Sequence, residues 1–168
     1  MSDSEFNSLI ATLAPAIHEH YRAQSKREGW TIKYDVPYAD LPPDFQSANL
    51  AAARRIPGIL EKAGLKIVSP EVTEFGPGDV PSEEETRAVL EKNIEAAAIA
   101  DHEGWMADKI ALGWQYGLQR DDEARLHPSL VPYEDLSEVE KEKDRSAVRN
   151  YPAVVRRAGL GIRFSEIS

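Results

Sequence analysis

The chain has 168 residues, with 29 acidic and 20 basic side chains, a formal net charge of −9 and no cysteine. The absent thiols exclude disulfide frameworks, Cys-bearing zinc sites, iron–sulfur clusters and thiol nucleophiles. The acidity argues against a general nucleic-acid binder, which needs a positive field to neutralise phosphates.

A hydrophobic content of 42% describes a globular chain, either one domain or two small halves sharing a core. No run of about 18 apolar residues is present to span a membrane. The start, Met1-Ser2-Asp3-Ser4-Glu5, is acidic where a signal peptide would be basic, so the expected location is the cytoplasm.

In chain order, Leu9, Leu13, Ile17 and Tyr21 recur every four residues and predict a first helix that buries this face. Pro15 is placed at its start or at a kink, and Gly29 at its stop. A second helix is predicted from Pro43 to Ala63, with Phe45, Leu50, Ile56 and Leu60 apolar and Gly64 beyond its end. Pro57 predicts a kink or a division into two shorter helices. Lys66-Ile67-Val68 reads as a short strand, and residues 69–81, rich in Pro and Gly, as a linker.

Ser82-Glu83-Glu84-Glu85 is a capping box that opens a helix expected to run on through Leu90, Ile94 and Trp105 to Leu112. The box Ser137-Glu138-Val139-Glu140 opens a last helix ending at Gly159, and Gly161-Ile162-Arg163-Phe164 forms a closing strand. The acidic runs Glu83-Glu84-Glu85 and Glu138 to Asp144 are expected to be solvated helix faces.

The chain also repeats itself. His18-Glu19 stands 12 residues before Trp30, as measured His to Trp, and His102-Glu103 stands the same distance before Trp114. Pro37-Tyr38-Ala39-Asp40-Leu41 matches Pro132-Tyr133-Glu134-Asp135-Leu136, and the register then holds at an offset of 95. Arg54 matches Arg149, Pro57 matches Pro152, and Ala63-Gly64-Leu65 matches Ala158-Gly159-Leu160. Five of 13 and 11 of 32 aligned positions are identical. Shared Trp, Gly, Pro and Tyr residues favour duplication over chance similarity between helices.

The expected fold is mainly α: two pseudo-twofold related helix–loop–helix repeats with short β tails, over residues 1–68 and 82–168. Extra residues between Trp114 and Pro132 lengthen the second repeat.

The second repeat resembles the ryanodine receptor repeat, or RyR domain. The resemblance rests on His102-Glu103-Gly104-Trp105, Gly113-Trp114-Gln115-Tyr116-Gly117, Arg120-Asp121-Asp122, His127-Pro128-Ser129-Leu130-Val131-Pro132-Tyr133 and Leu136-Ser137-Glu138. The first repeat keeps Leu13-Ala14, Ile17-His18-Glu19, Gly29-Trp30 and Pro37-Tyr38, and lacks the Arg-Asp-Asp and His-Pro segment. The resemblance implies a helical fold with two repeats around a cleft, and binding of adenine nucleotides or nucleotide-derived messengers with the repeat tryptophans lining that cleft. It is similar to the small soluble bacterial and phage proteins of this kind, and does not imply a channel.

The residues themselves give each candidate two readings. Trp30 and Trp114, at equivalent positions, could sandwich a flat base across the seam, worth about 1–3 kcal/mol per base in single-strand binders, or could anchor separate helix ends. Trp105 is expected in the core. Arg54 and Arg149 suit phosphate oxygens, but in so acidic a chain the ion pair is the stronger reading.

Arg120, Arg125 and His127 in the extra loop are further phosphate candidates, and Tyr116 and Tyr133 could stack or hydrogen bond. His18 and His102 are candidate cleft residues. Neighbouring helix residues diverge, so His-Glu is no metal clamp, and a histidine capping a loop backbone is favoured.

No Gly-x-Ser-x-Gly, Walker loop or Gly-x-Gly-x-x-Gly is present. The expected function is therefore non-catalytic binding of a nucleotide-type ligand, as sensor or sponge, with no cofactor or metal. A protein-interaction module is the alternative and a nucleotide hydrolase the weaker third. Association with a second copy or another protein stays open.

Overall fold

Ser2 opens the first helix with a reciprocal cap: its hydroxyl accepts from the Glu5 amide at 3.1 Å, and the Glu5 carboxylate accepts from the Ser2 amide at 3.0 Å. The computed structural model describes residues 2–69 and 81–165. Most of the linker expected over 69–81 therefore lies outside the described residues.

Helix α1 (Asp3–Glu28) ends at Gly29, whose φ of 72° releases the chain. Helix α2 (Pro43–Lys62), strand β1 (Leu65–Val68), helix α3 (Glu83–Lys92) and helix α4 (Ile94–Ala111) follow. The short strands β2 (Gln115–Tyr116) and β3 (Leu126–His127) precede helix α5 (Glu138–Arg157) and strand β4 (Gly161–Phe164). Single 3-10 turns at Tyr38–Asp40 and Tyr133–Asp135 lead into α2 and α5. The fold is mainly helical.

Three sequence expectations are corrected. The helix expected from Ser82 to Leu112 is two helices, because the Asn93 side chain donates to the Val89 carbonyl at 2.9 Å and its backbone leaves helical geometry (φ −116°, ψ 18°). An Asn that bonds nearby backbone competes with the helix ladder in this way.

Pro57 does not divide α2, which runs unbroken. An interior proline costs about 3 kcal/mol, and Ile56, Ile59 and Leu60, all buried, each contribute roughly 1.5–3 kcal/mol.

The buried face of α1 is also rotated from the predicted one. Tyr21 is 44% exposed, whereas Ile10, Leu13, Ala14, His18 and His20 are buried.

The core is shared by the two halves: Leu13, Ile56, Leu60, Leu65, Leu90, Val148 and Val155 are fully buried. Helix α1 packs on α2 and α5, and α4 packs on α2 and α5. Strand β1 pairs antiparallel with β4, Ile67 opposite Ile162 and Val68 opposite Gly161. The ends of the two halves are thus tied in one ribbon.

Gly104 allows the close approach of α2 to α4, since a Cβ there would stand 2.4 Å from Cδ of Arg55. Among the described residues, no helix is long and apolar enough to cross a membrane.

Candidate functional site

The site grows from α4 and from the loop that follows it. His102 is buried on α4, and its Nε2 donates to the Val131 carbonyl at 2.7 Å. His18 makes the matching bond from α1, to the Val36 carbonyl at 2.6 Å. In both halves the accepting residue precedes a proline and its 3-10 turn. Each histidine pins a loop, the job favoured from sequence.

The His102 ring stacks on Trp105 with centroids 5.6 Å apart, and Trp105 meets the edge of His127 at 5.0 Å. Trp114 reaches the same imidazole at 6.3 Å. His127 is set there by β3, which pairs in parallel with β2, Tyr116 beside His127. Gly117 permits the pairing because a Cβ would stand 2.8 Å from the Leu126 Cβ.

The Ser129 amide donates to His127 Nδ1 at 3.0 Å. Burial, then Arg120 and Lys109, hold the His127 pKa below its usual value. The ring is therefore neutral near pH 7, with Nε2 carrying the proton.

Behind the aromatic face lies a pocket of about 210 Å³ lined by Arg55, Asp101, His102, Trp105, His127 and Asp144. Its floor is acidic. Asp101 accepts from the Tyr151 hydroxyl at 2.5 Å and lies 3.7 Å from Arg55 Nε. Burial pushes the Asp101 carboxyl up, against the pull of Tyr151 and Arg55.

Asp144 is pushed up to about 6, first by burial and then by Asp101, while His102 opposes the shift from 3.6 Å. The expectation of a solvated Glu138-to-Asp144 face is thus corrected at Asp144, whose side chain is only 21% exposed. Packing α5 against α4 turned it inward.

The other candidates divide between the loops and the scaffold. Trp30, just past the end of α1, is 50% exposed and Tyr116 is 52% exposed. Among the described residues no ring contact joins Trp30 to Trp114. The nearest cation to the Trp114 ring is the Lys109 ammonium, 4.7 Å from its centroid.

Arg120 pairs with Asp122 at 2.8 Å on the exposed loop. Lys33, from the loop after Trp30, also holds the Asp122 carboxyl down, though less than Arg120 does. The two loops therefore lie on one side of the molecule.

Arg125 turns back instead, with φ 57°, and its Nη1 donates to the Leu112 carbonyl at 2.5 Å. It caps the end of α4. Tyr133 is buried, its hydroxyl donating to Glu95 at 3.0 Å. Arg54 is exposed on α2. Arg149 is bound by Glu91 at 2.5 Å and Glu142 at 2.6 Å, the ion pair favoured from sequence.

Trp105, expected in the core, is only partly buried and lines the pocket, and Arg55, Lys109, Asp101 and Asp144 were not expected at the site. Trp105 carried a signal, its place in His-Glu-Gly-Trp. The others had none, because only the crossing of α2, α4 and α5 brings them together. Among the described residues, no three His, Asp or Glu side chains are arranged to hold a metal ion.

The Ser82 cap, His102, Trp105, Trp114, His127 and Asp144 all fall inside one family match, while Arg55 and Trp30 lie outside it. Residues 82–163 match the family model of the RyR domain, so this part of the chain is an RyR domain.

Proposed function

We propose that the protein binds a nucleotide or nucleotide-derived messenger in the cleft between its halves, without turning it over, as a sensor or a sponge. The observation that carries this reading is a set of exposed rings and cations: Trp30 and Tyr116 stand half-exposed, Trp114 lies under the Lys109 ammonium, and Lys33, Lys109 and Arg120 all act on the Asp122 carboxyl. Indole and phenol faces in reach of cations suit a flat ring joined to phosphates.

In this reading the first half is a degenerate second repeat. The matching His18 and His102 bonds support it, as does Ile67 facing Ile162, its counterpart at an offset of 95. Arg149 is neutralised by two carboxylates, whereas Arg120 has one exposed partner, Asp122, so the phosphate role falls to Arg120 and the two lysines.

Isothermal titration against adenine nucleotides, ADP-ribose isomers and cyclic dinucleotides tests the reading. Trp30→Ala and Trp114→Ala are each expected to weaken the ligand that binds by about 5- to 100-fold, the worth of one stacked base. The Trp30→Ala protein should melt within a degree or two of the parent. Unchanged affinity in both variants would end the proposal.

A second reading has its own observation. Ile110, Leu112 and Leu118, within four residues of Trp114 in sequence, are exposed, and exposed apolar side chains suit a protein partner. Cross-linking that captures a partner through these side chains, with no nucleotide heat, would favour it.

A further inference from the structure

In a chain of net charge −9, one groove is basic. Where α1, α3 and α5 meet, a groove of about 650 Å³ is lined by Arg27, Arg87, Arg149, Arg156, Arg157 and His20. Among the described residues, its lining carboxylates are Glu83 and Glu91. Five guanidinium groups stand against these two and Glu142, which pairs with Arg149, a local excess of two positive charges.

The arginines do not balance one another's needs equally. Arg149 is matched by Glu91 and Glu142, and Arg156 donates to the buried Thr86 hydroxyl at 3.5 Å. Among the described residues, Arg27, Arg87 and Arg157 take part in no hydrogen bond or ion pair. Three unmatched cations brought together from three helices repel one another, a cost that folding alone gives no reason to bear.

A second feature points the same way. His20 lines the groove at 9% exposure, and its Nε2 is buried with no hydrogen-bond partner. A buried polar nitrogen without a partner costs about 1–3 kcal/mol. Burial keeps this ring from charging, and Arg157 and Arg27 push in the same direction while Asn150 opposes them.

We propose that this groove is a second binding site, for a compact anion carrying at least two phosphates. Arg87 and Arg157 would hold phosphate oxygens by their forked N–H groups, and His20 would serve one further oxygen or hydroxyl. The volume lies within the roughly 300–1,000 Å³ of small-molecule sites, too large for a single phosphate. The acidity of the rest of the chain opposes a long polyanion, while the local excess selects a short one. None of these residues belongs to the aromatic cleft, so this site stands or falls independently of it.

Isothermal titration with inorganic pyrophosphate at about 150 mM salt, where surface charges are screened over roughly 8 Å, gives the test. The parent protein should bind one pyrophosphate. The double variant Arg87→Gln/Arg157→Gln should bind at least tenfold more weakly, yet melt no lower than the parent because repulsion is relieved. Lys66→Gln, an exposed cation on β1, should bind as the parent does.

No pyrophosphate heat from the parent, equal affinity in the double variant, or an equal loss in Lys66→Gln would each overturn the proposal. Co-sedimentation with phosphatidylcholine vesicles carrying phosphatidylinositol bisphosphate separates the sources. Binding that pyrophosphate competes away assigns a lipid headgroup, and no vesicle binding beside pyrophosphate binding assigns a soluble ligand. Vesicle binding that pyrophosphate leaves untouched would sink the pocket.

Discussion

Replacing His102 with alanine is expected to destabilise the protein by about 3 kcal/mol, the range for truncating a buried ring and leaving a buried acceptor without its donor. Two losses add at this position. The Val131 carbonyl loses its 2.7 Å bond, which holds the loop leading to Tyr133 and α5. Trp105 loses the ring it stacks on, so the indole and the His127 edge it supports are free to shift.

Chemical denaturation should show the drop, and the melting midpoint should fall by about 6–12 °C for a chain of this size. His18→Ala makes the informative comparison. It removes the equivalent bond to Val36 but no stacked indole, so about 1–2 kcal/mol is expected. A loss at His102 no larger than at His18 would mean that the stack contributes nothing.

Asp144→Asn is expected to act in the opposite direction and to depend on pH. The folded chain holds the Asp144 proton up to about pH 6, against an ordinary value of 3.8. Between those limits the native state keeps a proton that the unfolded chain has released. Stability therefore falls as pH rises through the window, and above about pH 6 the charged carboxylate is a standing cost. The full shift corresponds to about 3 kcal/mol as an upper bound.

Asparagine keeps the shape and removes the charge facing Asp101 and Glu140, at the expense of attraction to His102 and Arg55. A net gain of about 1–2 kcal/mol is expected at pH 7.5 and none at pH 4. Urea midpoints at the two pH values measure it, and an equal change at both would refute the assignment. Glu95, Glu142 and Asp35 run the other way. Arginine partners lower their pKa values, so what they contribute is lost as pH falls.

Much of the scaffold was legible because its causes are local. Ser82 capping Glu85, Gly29 releasing α1, and the strand tails at 65–68 and 161–164 each follow from a few neighbouring residues. The shared spacing of His18 and His102 pointed to loop-pinning histidines, and both make that bond. Asn93 was local too, yet its side-chain bond to Val89 was missed because the apolar period runs on past it. Tyr21 was misplaced since a period of four drifts across a helix of 3.6 residues per turn.

By itself, then, the amino-acid order determined which segments are helical, where most of them stop, and which half carries the RyR motifs. Those features depend on hydrogen bonds and periodicities that span a turn or two of chain. Only the tertiary structure decided that Asp144 turns toward His102, that Arg125 caps α4 instead of facing a ligand, and that Arg27, Arg87 and Arg157 converge. Charges far apart in sequence feel one another only when packing brings them within a few ångströms and removes the water between them. No spacing along the chain encodes that distance.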